Sequence, residues 1–189
     1  MRKLKLQMQV SIDGFAAAGP NDDQKWVTWA LEDIFNPVLG IFKDTDTILI
    51  GRKLAVDYIP YWEDTFTKPD DPMYAFAERI VAAKKIVFTK TLGQSVWNNT
   101  ELATGDLAPE VKRLKSQEGK DMIVYGGCSF VAALIKEGLI DEFNFFVNPV
   151  ALGQGIPIFQ ELEDFQQLVL TKSEAYKSGI ILLQYTLRN

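Results

Sequence analysis

The chain has 189 residues, 47% of them hydrophobic and 24% charged, and a formal net charge of -5, which together predict one folded domain over residues 1–189. Because it contains no histidine and a single cysteine, Cys128, histidine-based metal sites, histidine triads and an intrachain disulfide are excluded, and no carboxylate cluster indicates another metal site. The scattered basic residues argue against nucleic-acid binding, no apolar run reaches the roughly 18–20 residues of a membrane helix, and we expect a cytoplasmic protein.

The N-terminal half of the chain alternates between predicted strands and helices. Apolar residues alternate with Lys and Gln over 4–12, which predicts a first strand rather than the hydrophobic region of a signal peptide. A helical pattern follows over 24–42, and Pro37 is expected to kink or end that helix. The remaining elements of this half are an apolar strand over 47–50, a helix over 54–58, a polar loop over 65–71, an amphipathic helix over 73–83 and a buried strand over 85–89.

The C-terminal half continues this alternation and ends in strands alone. The whole pattern predicts an α/β fold, a three-layer α/β/α sandwich whose central sheet is mostly parallel with an antiparallel C-terminal hairpin. Ligands bind beyond the carboxyl ends of the strands in such sheets, so the strand-to-helix turns are the candidate sites. The predicted elements are helices over 109–116 and 130–136 and strands over 122–125, 142–147, 167–175 and 179–187, the last two forming the hairpin.

The turn after the strand over 122–125 has the clearest features of an anion site. Gly126 and Gly127 end the strand, and a helix begins at once near Cys128 and Ser129. Residues without side chains let a phosphate approach the backbone, and a helix N-terminus offers unpaired N–H groups at the positive end of its dipole. The alternative is a tight turn whose glycines serve only helix-sheet packing, and two glycines alone do not decide between them.

Two further turns share this architecture. At residues 51–53 a glycine and two cations stand at the start of a helix, where positive charge is unfavourable unless an anion binds. Residues 89–91 place a lysine between two threonines, which suits an additional phosphate such as the 2′-phosphate of NADPH. Taken singly, the first is compatible with a solvated pair of cations and the second with a polar loop. Together the three turns favour a dinucleotide site outside the standard Rossmann fingerprint.

Short motifs recur along nearly the whole chain in a recognisable order. They are Ser11-Ile-Asp-Gly-Phe-Ala16, Leu49-Ile-Gly-Arg-Lys53, Val87-Phe-Thr-Lys-Thr-Leu92, Val124-Tyr-Gly-Gly-Cys-Ser129, Gly138-Leu-Ile-Asp-Glu-Phe143, Pro149-Val-Ala-Leu-Gly-Gln-Gly155 and Ile158-Phe159. In this order and spacing they resemble the reductase domain of the bifunctional riboflavin-biosynthesis deaminase-reductase, a branch of the dihydrofolate-reductase-like superfamily.

The resemblance implies a dihydrofolate-reductase-like fold that binds NADPH in an extended conformation, reduces a small-molecule substrate and forms a homodimer. Asp13 and Gly14 would lie beside the nicotinamide, which makes Asp13 a catalytic candidate. Dihydrofolate reductases use a carboxylate on the first helix to assist protonation, which makes Asp33 a second one, with Glu32 beside it. The residues expected at the cofactor are Ala16 at the nicotinamide, Gly51, Arg52 and Lys53 at the phosphates, Gly126, Gly127, Cys128 and Ser129 at the pyrophosphate, and Thr89, Lys90 and Thr91 at the adenosine end.

The chain departs from the riboflavin enzyme in its substrate half. Without histidine it cannot carry that enzyme's zinc deaminase. The family's D-D-P-x-L-x-x-R stretch, which grips the ribose phosphate of the substrate, is replaced by Val56-Asp-Tyr-Ile-Pro-Tyr-Trp62. Tyr58, Tyr61 and Trp62 instead predict an aromatic wall for a flat heterocycle. Trp26 and Trp29 are candidates to cover the substrate.

Three functions are therefore compatible with the sequence. The first is an NADPH-dependent reductase of the 5-amino-6-(5-phosphoribosylamino)uracil reductase type, in riboflavin biosynthesis. The second is a stand-alone NADPH reductase of a pteridine or another conjugated carbonyl compound. The third is a protein that binds NADPH without turnover, as a sensor of redox state.

Overall fold

The computed structural model describes residues 1–20 and 22–188. It contains ten strands and five helices in these ranges, and they alternate through most of the chain. The strands are β1 (Leu4–Ser11), β2 (Phe15–Ala17), β3 (Thr45–Gly51), β4 (Lys84–Phe88), β5 (Thr100–Ala103), β6 (Asp121–Val124), β7 (Glu142–Asn148), β8 (Ile156–Pro157), β9 (Leu168–Ala175) and β10 (Ile181–Leu187). The helices are α1 (Leu31–Phe42), α2 (Arg52–Phe66), α3 (Tyr74–Ala82), α4 (Leu107–Ser116) and α5 (Cys128–Lys136).

Eight of the strands form one sheet in the order β5-β4-β3-β6-β1-β7-β10-β9. The six strands from β5 to β7 are mutually parallel, and β10 and β9 add an antiparallel hairpin at one edge. The two short strands β2 and β8 pair with each other beside this sheet. The prediction of a mostly parallel sheet with an antiparallel C-terminal hairpin is confirmed.

Helices cover both faces of the sheet. On one face, buried side chains of α4 and α5, such as Leu114 and Leu134, pack against Leu6 and Val124 of the sheet. On the other face α1, α2 and α3 pack against residues such as Phe146. The result is the predicted three-layer arrangement. None of the helices in the described ranges has the length and apolarity required to span a bilayer.

Strand β1 lies in the middle of the sheet, and its two faces differ sharply. Leu4, Leu6, Met8 and Val10 belong to the core beneath α4 and α5. The alternate residues point to the other face, and they are polar although they are largely buried, with Gln7 only 8% exposed. Polar side chains beneath helices need partners, and Lys5 has one in Asp121, 3.1 Å from its Nζ. The remaining polar residues of this face are Gln7, Gln9 and Ser11.

The predicted helix over 24–42 is wrong in its first part. Helix α1 begins at Leu31 and continues through Pro37 to Phe42. The preceding segment is held in an irregular conformation, because the backbone N–H of Thr28 donates to the Asn148 side chain at 2.8 Å and Gln24 has a φ of 56°. Long-range contacts that a local pattern does not show therefore outweigh the helical periodicity of the two tryptophans.

Candidate functional site

The three predicted turns lie together at one edge of the sheet. Strands β4, β3 and β6 are parallel neighbours, so the turns that follow them share the carboxyl edge. Phe130 of α5 packs against the end of β4, because its ring centroid is 5.0 Å from that of Phe88. A Cβ on Gly51 would come within 3.2 Å of the Phe130 Cβ, so glycine permits this close packing.

Helices α2 and α5 both begin at this edge without side-chain caps. Their N-cap residues are Gly51 and Gly127, and neither first turn contains an acidic residue. The first N–H groups of a helix have no partner within the helix, and the dipole adds positive potential there. Arg52 and Lys53 increase that potential, since neither forms an ion pair with any residue in the described ranges. This edge is therefore suited to an anion.

The glycine pair leaves open space next to these N-termini. A Cβ placed on Gly127 has no heavy atom within 4 Å, so the space beside the start of α5, here called the glycine groove, is open. Gly126 has a φ of +145°, which a residue with a side chain rarely adopts. Cys128 and Ser129 follow in the first turn of α5, where burial raises the pKa of the Cys128 thiol and keeps it neutral. The geometry matches what a phosphate needs in order to reach backbone N–H groups.

The third turn is built differently from the first two. Thr89 is buried, and its Oγ accepts hydrogen bonds from the backbone N–H groups of Thr91 and Leu92, both at 3.1 Å. The Lys90 Nζ donates to the carbonyl oxygens of Thr104 and Gly105 at 3.0 and 2.9 Å. Two of the three predicted residues therefore stabilise the turn itself, while Thr91 is exposed.

A cleft of about 520 Å³ lies on the β1 face that carries the polar side chains. This volume falls within the roughly 300–1,000 Å³ typical of small-molecule sites. Three of its walls were predicted from the sequence, namely Ala16, Tyr58 and Trp62. Trp29 and Tyr61, which the sequence also indicated, line it as well, and the lining residues that the sequence did not indicate include Gln7, Gln9, Leu54, Met73, Phe76 and Tyr125.

Trp26 does not line the cleft. Its indole Nε1 donates to the Asp22 carboxylate at 2.7 Å, which turns the ring toward its own loop. Trp29, three residues later, lines the cleft and is 55% exposed. Because these tryptophans precede α1 rather than belonging to it, helical spacing does not relate their positions.

Asp13 also lies outside the cleft lining, and its carboxylate is fully engaged. It accepts hydrogen bonds from the Ser11 hydroxyl at 2.6 Å, from the Leu152 N–H at 3.0 Å and from the Gly153 N–H at 2.7 Å. The Ser11 and Gly153 hydrogen bonds lower the pKa of Asp13 to about 2. At neutral pH this carboxylate is ionised, and it attaches the loop before β8 to the end of β1.

Asp33 is tied to the C-terminal hairpin. Its carboxylate accepts a hydrogen bond from the Ser178 backbone N–H at 2.7 Å, in the turn between β9 and β10. Neither of the two predicted catalytic carboxylates therefore reaches the cleft.

The polar residues that line the cleft carry amides, phenols and indoles. The Gln7 Oε1 and the hydroxyls of Tyr58 and Tyr125 are buried without a hydrogen-bond partner among the described residues. Burial raises the pKa of both tyrosines well above the ordinary value, so they are neutral at any physiological pH. Alternating polar residues in a strand that the fold places at the sheet centre are the sequence signal that indicates Gln7.

Asn148, fully buried at the end of β7, orients two parts of the cleft. Its Nδ2 donates to the Gln9 Oε1 at 2.8 Å, which leaves the Gln9 NH₂ group for other partners. Its Oδ1 accepts the Thr28 N–H at 2.8 Å and so fixes the loop that carries Trp29. Asn148 could not be recognised from the sequence, because its hydrogen-bond partners are distant along the chain.

Comparison with known proteins identifies the family of this chain. A model of the family described as RibD C-terminal domain matches residues 2–182. The chain is 32% identical to the Bacillus subtilis (strain 168) protein YyaP over 190 residues, which cover 97% of this chain and 94% of YyaP. The resemblance found in the motifs is confirmed.

Two solved structures show the same fold. A Shewanella sp. PV-4 protein named for riboflavin biosynthesis superposes with a TM-score of 0.75 at 20% identity, over 99% of both chains. The Thermotoga maritima diaminohydroxyphosphoribosylaminopyrimidine deaminase/5-amino-6-(5-phosphoribosylamino)uracil reductase superposes with a TM-score of 0.70 at 17% identity. That match covers 99% of this chain and 57% of the Thermotoga chain. At these identities the likeness establishes the dihydrofolate-reductase-like fold alone.

The role of Asn148 generates a stability prediction. Asn148→Ala should lower the free energy of unfolding by about 2 kcal/mol, because it removes the hydrogen bonds that the buried Asn148 side chain makes to the half-buried Thr28 N–H and Gln9 amide. Urea denaturation measures this change. Asn36→Ala, an exposed position on α1, is the control and should shift the free energy by less than about 0.5 kcal/mol. Equal midpoints for the Asn148 variant and wild type would contradict the assignment.

Proposed function

This chain belongs to the RibD C-terminal domain family, and from that premise we propose that it is an NADPH-dependent reductase of a small heterocyclic substrate. The observation that carries the proposal is the convergence of two uncapped helix N-termini on an open glycine groove, next to a neutral aromatic cleft. The groove is suited to the phosphates of a dinucleotide, and the cleft is suited to a flat ring.

The residues present fit this cofactor. The pyrophosphate is proposed to bind at Gly127, Cys128 and Ser129, where the groove is open and the N–H groups at the start of α5 are free of side-chain caps. Arg52 and Lys53 supply positive charge from the neighbouring helix. The exposed Thr91 is the residue proposed for the adenosine end, and Ala16, which lines the cleft, is proposed for the nicotinamide end.

Bound NADPH would supply a hydride to a C=O or C=N carbon of the substrate. The protein's part is to orient the substrate ring against the aromatic wall of Tyr58 and Trp62 in the cleft. The reduction also consumes one proton at the oxygen or nitrogen of that bond. Asp13 holds no proton at neutral pH because its pKa is about 2. We therefore assign the proton to solvent.

The edge strand β9 supports a homodimer, which we also propose. Val169 and Leu170 are 40% and 50% exposed, and the outer side of β9 pairs with no strand in the described ranges. Exposed apolar edge strands readily pair with a second chain.

Val169→Glu should convert the dimer to a monomer, because it places a charge in the proposed interface. Sedimentation velocity of wild type and variant measures the mass. Val56→Glu, on the exposed surface of α2, is the control and should remain dimeric. A monomeric wild-type protein, or a Val169→Glu protein that stays dimeric, would contradict the proposal.

Gly127→Val tests the cofactor site. Its backbone φ of -63° accepts a side chain, so the variant should fold, but the added side chain fills the groove. We expect NADPH affinity to fall by at least about tenfold, a loss of about 1.4 kcal/mol. The quenching of tryptophan fluorescence during titration with NADPH, and separately with NADH, measures it.

Gly40→Val places the same side chain on the exposed surface of α1 and should leave NADPH affinity unchanged. Wild-type protein that binds neither nucleotide would refute the proposed function, and unchanged affinity in Gly127→Val would refute the placement. Nucleotide binding without oxidation in the presence of any heterocycle would favour a sensor over an enzyme.

A further inference from the structure

We propose that the substrate of this cleft is an uncharged, unphosphorylated flat heterocycle, and that Gln7, Tyr58 and Tyr125 determine its recognition. This inference rests on the proposed reductase function and specifies its substrate class. It differs from a phosphoribosyl substrate of the kind named for the Thermotoga maritima reductase.

The first argument is the charge of the cleft. None of its lining residues carries a charge, and in the described part of the chain its polar groups are carboxamides, phenols and indoles. Transferring a phosphate into such surroundings is unfavourable without a paired cation. The two cations at the start of α2, Arg52 and Lys53, are next to the groove already assigned to the cofactor phosphates.

The second argument is a concentration of unpaired polar atoms. Seven buried side-chain N or O atoms lack hydrogen-bond partners within the described ranges, and three of them belong to cleft residues. These are the Gln7 Oε1 and the hydroxyls of Tyr58 and Tyr125. Buried polar groups are otherwise almost always paired, and the residues that carry these three atoms line one cleft, which points to a ligand there.

The three residues are placed near one another by the sheet register and by ring stacking. Leu6 of β1 pairs in parallel register with Val124 of β6, so the next residues, Gln7 and Tyr125, follow side by side on the same face. The Tyr125 ring stacks on that of Tyr58, with centroids 5.9 Å apart and planes inclined by 27°.

This surface specifies the chemistry of its ligand. A carboxamide presents an acceptor and a donor side by side, and a neutral phenol either donates or accepts. Their complement is a ring edge that carries an N–H beside a C=O, or an amino group beside a ring nitrogen. The Gln9 side chain adds one further donor, its NH₂ group, because its Oε1 already accepts a hydrogen bond from Asn148.

The other walls select for a flat ligand. Trp62 packs edge-on against Phe76 and Tyr61, with centroids 5.0 and 4.9 Å away, so its position is fixed. Aromatic faces bind planar rings by stacking, and the exposed Trp29 offers a further face.

Paired ligands that differ only in the phosphate test the inference. The probes are 5-amino-6-ribosylaminouracil, its 5′-phosphate, and pterin as an unrelated uncharged heterocycle. Quenching of Trp29 and Trp62 fluorescence reports binding, and NADPH titration of the same samples reports folding and cofactor binding. We expect at least one uncharged probe to bind, and the uracil nucleoside to bind at least as tightly as its phosphate.

Two variants test the assigned residues. Gln7→Leu and Tyr125→Phe should each lower the affinity for the uncharged probe by at least about tenfold, while the affinity for NADPH is retained. The matched controls, Gln117→Leu after α4 and Tyr185→Phe on the opposite face of the sheet, should bind as wild type does.

The possible failures are distinguishable. A wild-type protein that does not bind NADPH refutes the proposed function. NADPH binding combined with a preference of about tenfold for the phosphorylated probe overturns only the substrate inference. Failure of every uncharged probe, or wild-type probe affinity in Gln7→Leu and Tyr125→Phe, overturns it as well.

Discussion

The site depends on one constraint, the burial of a central strand with a polar face. Strand β1 pairs with β6 on one side and β7 on the other, so both of its edges are hydrogen-bonded. Its apolar residues fill the core beneath α4 and α5, and its glutamines lie on the opposite face, where α1 and α2 border a cleft. A sheet interior tolerates such polar groups only when they are paired or serve a ligand. The remaining features of the site are arranged around this strand.

Charge is distributed unevenly around the site. Arg52 and Lys53 stand at the carboxyl edge, where α2 and α5 begin. The residues that line the cleft carry no charge. Asp13 and Asp33 accept hydrogen bonds from the loop before β8 and from the hairpin turn. Under the proposed function, a hydride acceptor in this cleft would be held by neutral hydrogen bonds and aromatic faces rather than by ion pairs.

Local pattern was sufficient for most of the fold. Four strands of the sheet core and edge were predicted correctly, those with the apolar runs around Ile48 and Ile123 and those of the terminal hairpin. In the first two, the run of apolar residues along the sequence matches a run of buried side chains. Short elements were missed, such as β5 with four residues and β8 with two, because so few residues show no periodicity. The start of α1 was misplaced because Asn148, far along the chain, holds Thr28 out of a helix.

The site was predictable only in part for a similar reason. A glycine turn such as Gly126-Gly127 can be recognised from a few consecutive residues of the sequence. Gln7 and Tyr125, in contrast, become neighbours only when β1 and β6 lie side by side in the sheet. The proposed dinucleotide spans the starts of α2 and α5, and hydrogen-deuterium exchange with and without NADPH can detect it there. We expect slower exchange in peptides covering 51–54 and 126–130 and unchanged exchange in β9. Unchanged exchange in both of those peptides at saturating NADPH would refute the proposed site.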